Sequence, residues 1–358
     1  MSSCRKRPRR GSKVVWLSLL AAMSAACAGE YPQTTFRPVT EFGELIDGLF
    51  NHVFLLTLFV LVLVETILVY VIVRYRRREG APPPKHVHGH TGLEIVWTLG
   101  PAIIVALIAV PTVRGIFATQ GEDVEGALQV DVIGHQWWWE FRYPELGITT
   151  ANELHVPVGR PIRLRMRSAD VIHSFWIPRI GGKRDVNPQP RLREGEQEQY
   201  NYLTFTISEP GSYLGQCAEY CGTQHAVMRM RAVAHSPEDF EAWVQAMKTP
   251  VTPAPGSLEE RGQQIFTSRS CIACHAIEGT TAMGTIGPNL TRVGARWTIG
   301  AGAVPNTREN LIRWIKTPHE VKKGVLMPGA TVGAAGMPPT GLSDEEIEAV
   351  AAYLASLK

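Results

Sequence analysis

The chain has 358 residues, enough for two or three domains. Its formal net charge of +3 is close to balance, so the composition does not indicate a nucleic acid or another polyanion as a partner. The apolar residues are concentrated in the first third of the chain, which points to a membrane.

Residues 1–28 are predicted to be a signal peptide. A basic segment, MSSCRKRPRRGSK, precedes a short apolar stretch rich in small residues, as in secretory leaders. Cys27 follows Ser24-Ala25-Ala26, an imperfect lipoprotein-type cleavage site. The sequence leaves two interpretations of Cys27 open: lipidation, or loss with a leader that is cleaved nearby.

Two apolar spans, 49–73 and 95–113, are predicted within a transmembrane hairpin of residues 40–118. Each is close to the ~20 residues that cross the hydrocarbon core. The connecting loop is basic, with Arg74, Arg76, Arg77 and Arg78, and therefore belongs in the cytoplasm. The rest of the chain is predicted to lie on the periplasmic or outer side of a bacterial cell membrane, which the chain crosses twice.

Residues 119–248, called the β domain below, contain short runs that alternate apolar and polar residues, such as IRLRMR and YLTFTI. Glycines and prolines separate these runs, a pattern typical of a β-sandwich or barrel. A helical stretch with Ser236 as its N-cap closes the domain.

A proline-rich segment, 249–257, is predicted to be an extended, semi-rigid linker. Beyond it the apolar spacing becomes helical, and Ser257 and Ser343 are each followed three residues later by glutamate, as in capping boxes. Residues 258–358, called the helical domain below, are therefore predicted to form a small all-α domain.

The segment GQCAEYCGTQHAVM places Cys217, Cys221, His225 and Met228 close together in the sequence. Thiolate with imidazole favours copper or zinc, and because a thioether is not a zinc ligand, the methionine favours copper. A single-copper electron-transfer site needs one cysteine. Two cysteines therefore predict a pair of copper ions bridged by both thiolates, each with its own histidine and one weak axial ligand.

His173, in VIHSFWIP, is predicted to supply the second histidine, and the backbone carbonyl of Glu219 the second axial ligand. A disulfide between Cys217 and Cys221 is the alternative, because the outer compartment permits one. The donor residues around the two cysteines favour the copper site.

CIACH, residues 271–275, is the CxxCH signature of covalently attached haem c. Cys271 and Cys274 are predicted to bind the haem vinyl groups, with His275 as the proximal axial ligand. Two methionines compete for the sixth position: Met327 in EVKKGVLMP, which is preferred, and Met337 in GMPPTG.

The pattern H…GQCxExCGxxHxxM, with GHQWWWEF upstream and HSFWIPRIGGKRD after His173, resembles subunit II of the haem-copper cytochrome c oxidases. The resemblance covers residues 45–248 and implies a cupredoxin-like Greek-key sandwich that holds the dinuclear copper A centre. Quinol oxidases are excluded, because their similar subunit lacks the copper ligands.

CIACH, GPNL and the final helix resemble class I cytochromes c. That resemblance implies that the Pro288 carbonyl orients the proximal imidazole. Together the two resemblances imply a caa3-type fusion.

The resemblance assigns three further roles. Trp137 matches the aromatic residue where electrons enter the copper centre, the Glu219 side chain matches a carboxylate that binds magnesium at the interface with subunit I, and Glu94 matches the mouth of a proton path into subunit I.

The implied partners are oxidase subunits I and III and, as electron donor, a cytochrome c or a quinol–cytochrome c reductase. Two other functions are weighed. A copper-delivery protein is disfavoured by the two spans, His225 and Met228. A nitric-oxide or nitrous-oxide reductase subunit is disfavoured by Glu94 and by the match through the second span.

Overall fold

A computed structural model describes residues 31–80, 82, 88–121, 123–189 and 199–358. The predicted signal peptide and Cys27 lie outside the described residues.

Two long apolar helices form a hairpin: α1 (Glu41–Arg74) and α2 (Thr91–Ala118). Each is long and apolar enough to cross a membrane, and none of its most apolar 18-residue window is buried inside the structure. Both helices extend beyond the predicted spans. Their exposed apolar surfaces require lipid or partner subunits around them.

The outer end of α1 is packed into the β domain. The Thr40 side chain accepts a hydrogen bond from Gly43 N at 3.0 Å and donates to the carbonyl of Ile180. Phe42 is 8% exposed, and a Cβ at Gly181 would lie 2.1 Å from its ring, so only glycine fits there. The helix is therefore fixed to the β domain.

The β domain is a sandwich of two five-stranded sheets, with strand orders β3-β2-β1-β5-β8 and β4-β10-β9-β6-β7. The strands are β1 (Leu128–His135), β2 (Trp138–Tyr143), β3 (Ile148–Ala151), β4 (Glu153–Pro157), β5 (Ile162–Ser168), β6 (His173–Trp176), β7 (Arg184–Val186), β8 (Asn201–Phe205), β9 (Gly211–Cys217) and β10 (Arg229–His235). Helix α3 (Pro237–Lys248) follows, and Ser236 caps it as predicted.

Alternation along the strands builds the core of the sandwich. In β5, Ile162, Leu164 and Met166 are at most 1% exposed, while the arginines between them point outward. One continuous apolar cluster fills the space between the sheets and includes Cys217, Cys221 and Met228. The prediction of a β-sandwich is confirmed.

The helical domain has a separate apolar core. Its elements are α4 (Leu258–Ser268), α5 (Cys271–Cys274), the short hairpin β11 (Thr298–Ile299) and β12 (Val304–Pro305), α6 (Arg308–Lys316), α7 (Pro318–Val321) and α8 (Asp344–Ser356). Helices α4 and α8 cross closely, because a Cβ at Gly262 would lie 2.0 Å from the Ala349 carbonyl oxygen. Ser343 and Glu346 form the predicted capping box, whereas Glu260 accepts from Gly256 N instead of from the Ser257 cap.

The predicted linker contains no helix or strand, but it is packed rather than free. Thr249 O accepts a hydrogen bond from Arg292 Nη2 at 2.7 Å, and Val251 packs against the core of the helical domain. This segment therefore does not act as a spacer of variable length.

Candidate metal centre and haem-binding site

Strands β6, β9 and β10 position the candidate copper ligands. Cys217 ends β9, the following loop carries Cys221, and a 3₁₀ turn from His225 to Val227 returns the chain to β10. His173 begins β6, which pairs with β9. Gly134 of β1 leaves room for the imidazole, since a Cβ there would lie 2.7 Å from the His173 ring.

The predicted side-chain ligands converge on one point. Cys217 Sγ and Cys221 Sγ are 3.8 Å apart. His173 Nδ1 lies 3.9 Å from Cys217 Sγ, and His225 Nδ1 lies 3.6 Å from Cys221 Sγ. Met228 Sδ is 3.8 Å from Cys221 Sγ. The carbonyl oxygen of residue 219 is 3.2 Å from the sulfur of residue 217 and completes the set.

This donor set fits a metal centre better than a disulfide. A disulfide has sulfurs ~2.05 Å apart, whereas Cys217 and Cys221 are unbonded. With metal–sulfur bonds of ~2.3 Å, two sulfurs at the observed separation can bind the same ions. Ligand atoms of His173, Cys217 and Cys221 all lie within 4.8 Å of one another, and all three residues are buried. Two soft thiolates, two imidazoles and a thioether suit copper.

The two thiols are electrostatically coupled. Hydrogen bonding from Cys221 lowers the pKa of Cys217, despite burial, which favours its thiolate form. The same interaction raises the pKa of Cys221, since two anions this close repel. A cation between the sulfurs removes that repulsion, so metal binding releases the second proton.

Asp170 orients His173. The carboxylate accepts from His173 Nε2 at 2.8 Å and from the backbone N–H groups of Gln136 and Val171, both at 2.6 Å. Burial alone would lower the pKa of His173, but Asp170 and Cys217 raise it. Because Nε2 faces the carboxylate, Nδ1 faces the sulfurs. Asp170 was not predicted, although its position three residues before His173 was a usable signal.

Trp137 lies against the metal loop. Its Nε1 donates to the Cys221 carbonyl oxygen at 2.9 Å. A Cβ at Gly222 would lie 3.2 Å from the indole ring, so the ring packs directly on the loop backbone. The side chain is half-buried.

The CxxCH segment forms α5, and its histidine is held in one orientation. His275 Nδ1 is 2.8 Å from the Pro288 carbonyl oxygen, and His275 N donates to Cys271 O at 3.0 Å. A Cβ at Gly287 would lie 2.8 Å from the imidazole. Burial lowers the pKa of His275. The neutral ring with Nδ1–H bonded to a carbonyl leaves Nε2 as a ligand for haem iron.

The chemistry around this histidine fits a haem. Large apolar side chains stand exposed in the segments that follow CxxCH and flank the candidate methionines: Met283, Ile286, Leu326 and Val332. Met327 lies in the loop after α7, and Met337 lies in a turn closed by paired backbone bonds to Ala334. Both methionines are half-buried, and the choice of sixth ligand stays a prediction.

Both predicted carboxylates, those of Glu219 and Glu94, are exposed. Glu94 lies in the first turn of α2, where its Oε1 accepts from His90 N at 3.3 Å. That turn lies at the end of the hairpin opposite the β domain.

Polar contacts, unforeseen from the sequence, join the two domains. Lys322 Nζ donates to the carbonyl oxygens of Trp137 and Val227. Glu153, which is 3% exposed, accepts from Trp297 N at 2.8 Å. Lys322 binds backbone atoms far away in the chain, so its role leaves no signature in the sequence.

Three family models match the chain: the transmembrane domain of cytochrome c oxidase subunit II over residues 39–114, its periplasmic domain over 147–234, and cytochrome c over 259–358. A protein named cytochrome c oxidase subunit 2 from Alkalihalophilus pseudofirmus is 35% identical, with 98% of each chain covered. The chain belongs to the cytochrome c oxidase subunit II family. A Bacillus subtilis protein of the same name is 33% identical over 96% of this chain and 97% of its own.

Among solved structures, the crystal structure of the periplasmic domain of subunit II of cytochrome oxidase (CoxB) of Bradyrhizobium japonicum is 30% identical. It covers 34% of this chain and 94% of that chain, with a TM-score of 0.30. Like the relatives above, the chain is part of a haem-copper oxidase complex. It is anchored in a membrane, with its extramembrane domains outside. Its matched families imply copper and haem c.

Proposed function

We propose that this chain is subunit II of a caa3-type cytochrome c oxidase. Electrons pass from haem c in the helical domain to the dinuclear copper A centre in the β domain, and then to subunit I. There oxygen is reduced to water while protons are pumped. The observation that carries the proposal is the convergence of six copper donors beside Trp137, with a CxxCH domain packed on the same tryptophan.

The proposed ligands favour electron transfer by keeping fixed positions around the metal centre. When bound, the copper pair and the haem supply one-electron redox chemistry. Cys217, Cys221, His173, His225, Met228 and the Glu219 carbonyl would hold the copper ions. His173 and Cys217 lie on the paired strands β6 and β9, and the loop with the other ligands connects β9 to β10. Because both ends of the loop are held in the sheet, the ligand positions change little between redox states, which favours rapid electron transfer.

Cys271 and Cys274 would hold the haem in the helical domain, and His275 would ligate its iron. Met327 is the preferred sixth ligand, and a thioether there raises the reduction potential. Trp137 is proposed to receive the electrons, because its indole lies between the helical domain and the metal loop.

The remaining roles concern the complex. The exposed Glu219 carboxylate is proposed to bind magnesium at the interface with subunit I, and Glu94 to lie at the mouth of a proton path. Subunits I and III are the proposed neighbours of the apolar hairpin. The donor is a cytochrome c or a quinol–cytochrome c reductase on the outer side of a bacterial cell membrane, which the chain crosses twice.

Metal analysis with electron paramagnetic resonance of the purified complex tests the copper assignment. We expect this chain to hold two copper ions and one covalent haem, in addition to the metals of subunit I, with one unpaired electron shared by the two coppers. The proposal fails if the β domain holds zinc or a single copper.

Substrate assays test the reaction. The complex should consume oxygen and not nitric oxide when it is supplied with reduced cytochrome c. Preferential nitric oxide consumption would instead identify the reductase alternative, since a reductase subunit can share this copper site.

A further inference from the structure

Lys322 is a buried lysine at the boundary between the two domains. It follows α7 and is 4% exposed. Its Nζ donates to the carbonyl oxygens of Trp137 and Val227, each at 2.7 Å, and to that of Gly300 at 2.9 Å. An ammonium group has three N–H donors, so every donor has a partner, as a buried charge requires.

Two of the three acceptors belong to the opposite domain. Trp137 and Val227 are in the β domain, and only Gly300 is in the same domain as Lys322. A lysine that stabilised only its own domain would bind carbonyls of that domain. Lys322 instead binds the β domain at the proposed electron-accepting tryptophan and at the residue before the candidate ligand Met228.

The contacts continue from Lys322 to a candidate thiolate ligand. Trp137 accepts from Lys322 through its carbonyl oxygen and donates through Nε1 to Cys221 O at 2.9 Å. Gly324 has a φ of +77°, and a Cβ there would lie 3.6 Å from the Trp137 ring. The indole is thus enclosed between the metal loop and the segment that carries Lys322.

Further bonds across the boundary fix the register of the two domains. Arg229 N donates to Ala301 O at 3.0 Å, directly after Met228. Trp297 N donates to the buried Glu153 carboxylate at 2.8 Å. The first bond joins two backbone groups and the second joins a backbone N–H to a buried carboxylate, so sliding of one domain over the other would break them together.

We infer that Lys322 is a positioning residue for electron transfer, which holds the helical domain in one docked orientation on Trp137. The inference rests on the proposed function. A fixed geometry removes the encounter step that a tethered donor would need. Lys322 and Met327 share the segment EVKKGVLMP, so the segment proposed to ligate the haem iron also binds the acceptor side.

Flash photoreduction of the purified oxidase complex tests the inference. A ruthenium tris-bipyridine photoreductant reduces haem c, and the reoxidation of haem c and reduction of copper A are followed optically. Lys322→Met keeps a side chain of similar length but lacks the three donors, so we expect the haem-to-copper rate to fall at least ~10-fold. Lys323→Met removes the same charge from the exposed neighbouring residue and should stay within about twofold of wild type.

Rescue separates positioning from general stability. Lys322→Arg retains a cation with several donors and should recover at least half of the lost rate on a logarithmic scale. The haem absorption and the copper resonance should be unchanged in all variants. A wild-type rate in Lys322→Met with both spectra intact overturns the inference and leaves the electron relay standing. Absence of the shared-electron copper signal in the wild-type complex instead overturns the proposed function.

A measurement on the wild type tests the docked orientation even if Lys322→Met does not assemble. Buried hydrogen bonds are screened far less than surface charges. The haem-to-copper rate should therefore change less than about twofold between roughly 0.02 and 0.5 M salt. A fall of more than ~10-fold over that range would show a salt-sensitive encounter, and the docked orientation would be rejected.

Discussion

A single carboxylate, that of Asp170, sets the orientation of His173, one of the two candidate copper histidines. Asp170 accepts hydrogen bonds from the His173 ring and from two backbone N–H groups, so it fixes both the ring and the loop that leads to Trp137. Carboxylates in this place orient a ligand and raise its basicity, and their loss weakens metal binding about 10- to 100-fold.

We therefore expect Asp170→Asn to lose copper faster than wild type when the purified complex is challenged with a copper chelator. The change in affinity should be about 10-fold or more, with the haem content unaltered. Asp185→Asn is the matched control, because Asp185 is exposed in the neighbouring strand β7. Equal copper retention by the two variants would show that Asp170 does not support the site.

The two candidate methionines give the second prediction at this scale. Replacing Met327 with leucine should abolish the weak absorption band of sulfur–iron ligation and lower the haem potential, because a thioether ligand raises it. Met337→Leu is the control and should keep the band. The reverse pattern would assign the sixth position to Met337.

Sequence patterns were enough to predict the candidate ligand types, because ligand chemistry is local. The short spacings of GQCAEYCGTQHAVM and CIACH restrict the possible metals and cofactors before any fold is known. Lys322 and Glu153 escaped prediction, because their partners are backbone groups brought near only by the packing of two domains. A buried lysine in a loop has no sequence pattern that separates it from its exposed neighbour Lys323.

At the scale of elements, strands β4 and β10 are joined by a pair of histidines. His155 Nδ1 and His235 Nε2 are 2.8 Å apart, so one ring donates and the other accepts. Trp243 of α3 stacks on His155 with ring centroids 4.6 Å apart. Charging both rings would leave two N–H donors facing each other and break the pairing.

Both rings are held neutral by their surroundings. Burial and the charge of His155 lower the pKa of His235 to about 4, against a small opposing effect of Asp239. Burial also lowers the pKa of His155; Glu153 opposes the shift and Arg296 adds to it. The unfolded pair titrates near ~6.5. The stability contribution is therefore complete above that pH, and it is lost as the pH falls from ~6.5 toward the folded pKa, since the unfolded state takes up protons first.

Hydrogen exchange of the intact complex checks this prediction. After correction for intrinsic rates, the amides of β4 and β10 should open more readily at pH 5 than at pH 7.5, whereas helix α8, which has no histidine, provides a reference. His235→Gln should make the opening less dependent on pH. A wild type whose β4 and β10 open equally at both pH values would contradict the expectation.

At the scale of the whole molecule, two cores meet at a polar boundary. The apolar cluster of the β domain and that of the helical domain share no residue. Each cluster is closed by its own elements, and the joining contacts are hydrogen bonds such as those of Lys322 and Glu153. The β domain should therefore keep its structure without the helical domain.

A chain that ends after Lys248 tests this independence. Co-expressed with the other oxidase subunits, it should insert, assemble and bind two copper ions, but carry no covalent haem. Oxygen uptake should then depend on added soluble cytochrome c and should fall as salt rises, because a free donor must find its site through screened charges. Failure to bind copper would show that the helical domain is required to complete the copper site.

Element types were predictable over most of the described chain, since the apolar period changes from two in the β domain to helical beyond it. The ends of the membrane helices were not. Polar residues such as Glu41, Glu44 and Asp47 marked the edge of the apolar span, but α1 continues through them because its first turns pack on the β domain.

Because α1 is continuous, it connects the membrane span rigidly to the β domain that carries the candidate metal centre. A helix rises ~1.5 Å and turns ~100° for each residue. The eight helical positions before the span therefore set the height of the candidate metal centre above the bilayer and its rotation about the helix axis. Adding one residue to this part of α1 would rotate the candidate metal centre by more than a quarter turn about the helix axis. An insertion of one residue in a surface loop, by contrast, would not change this rotation.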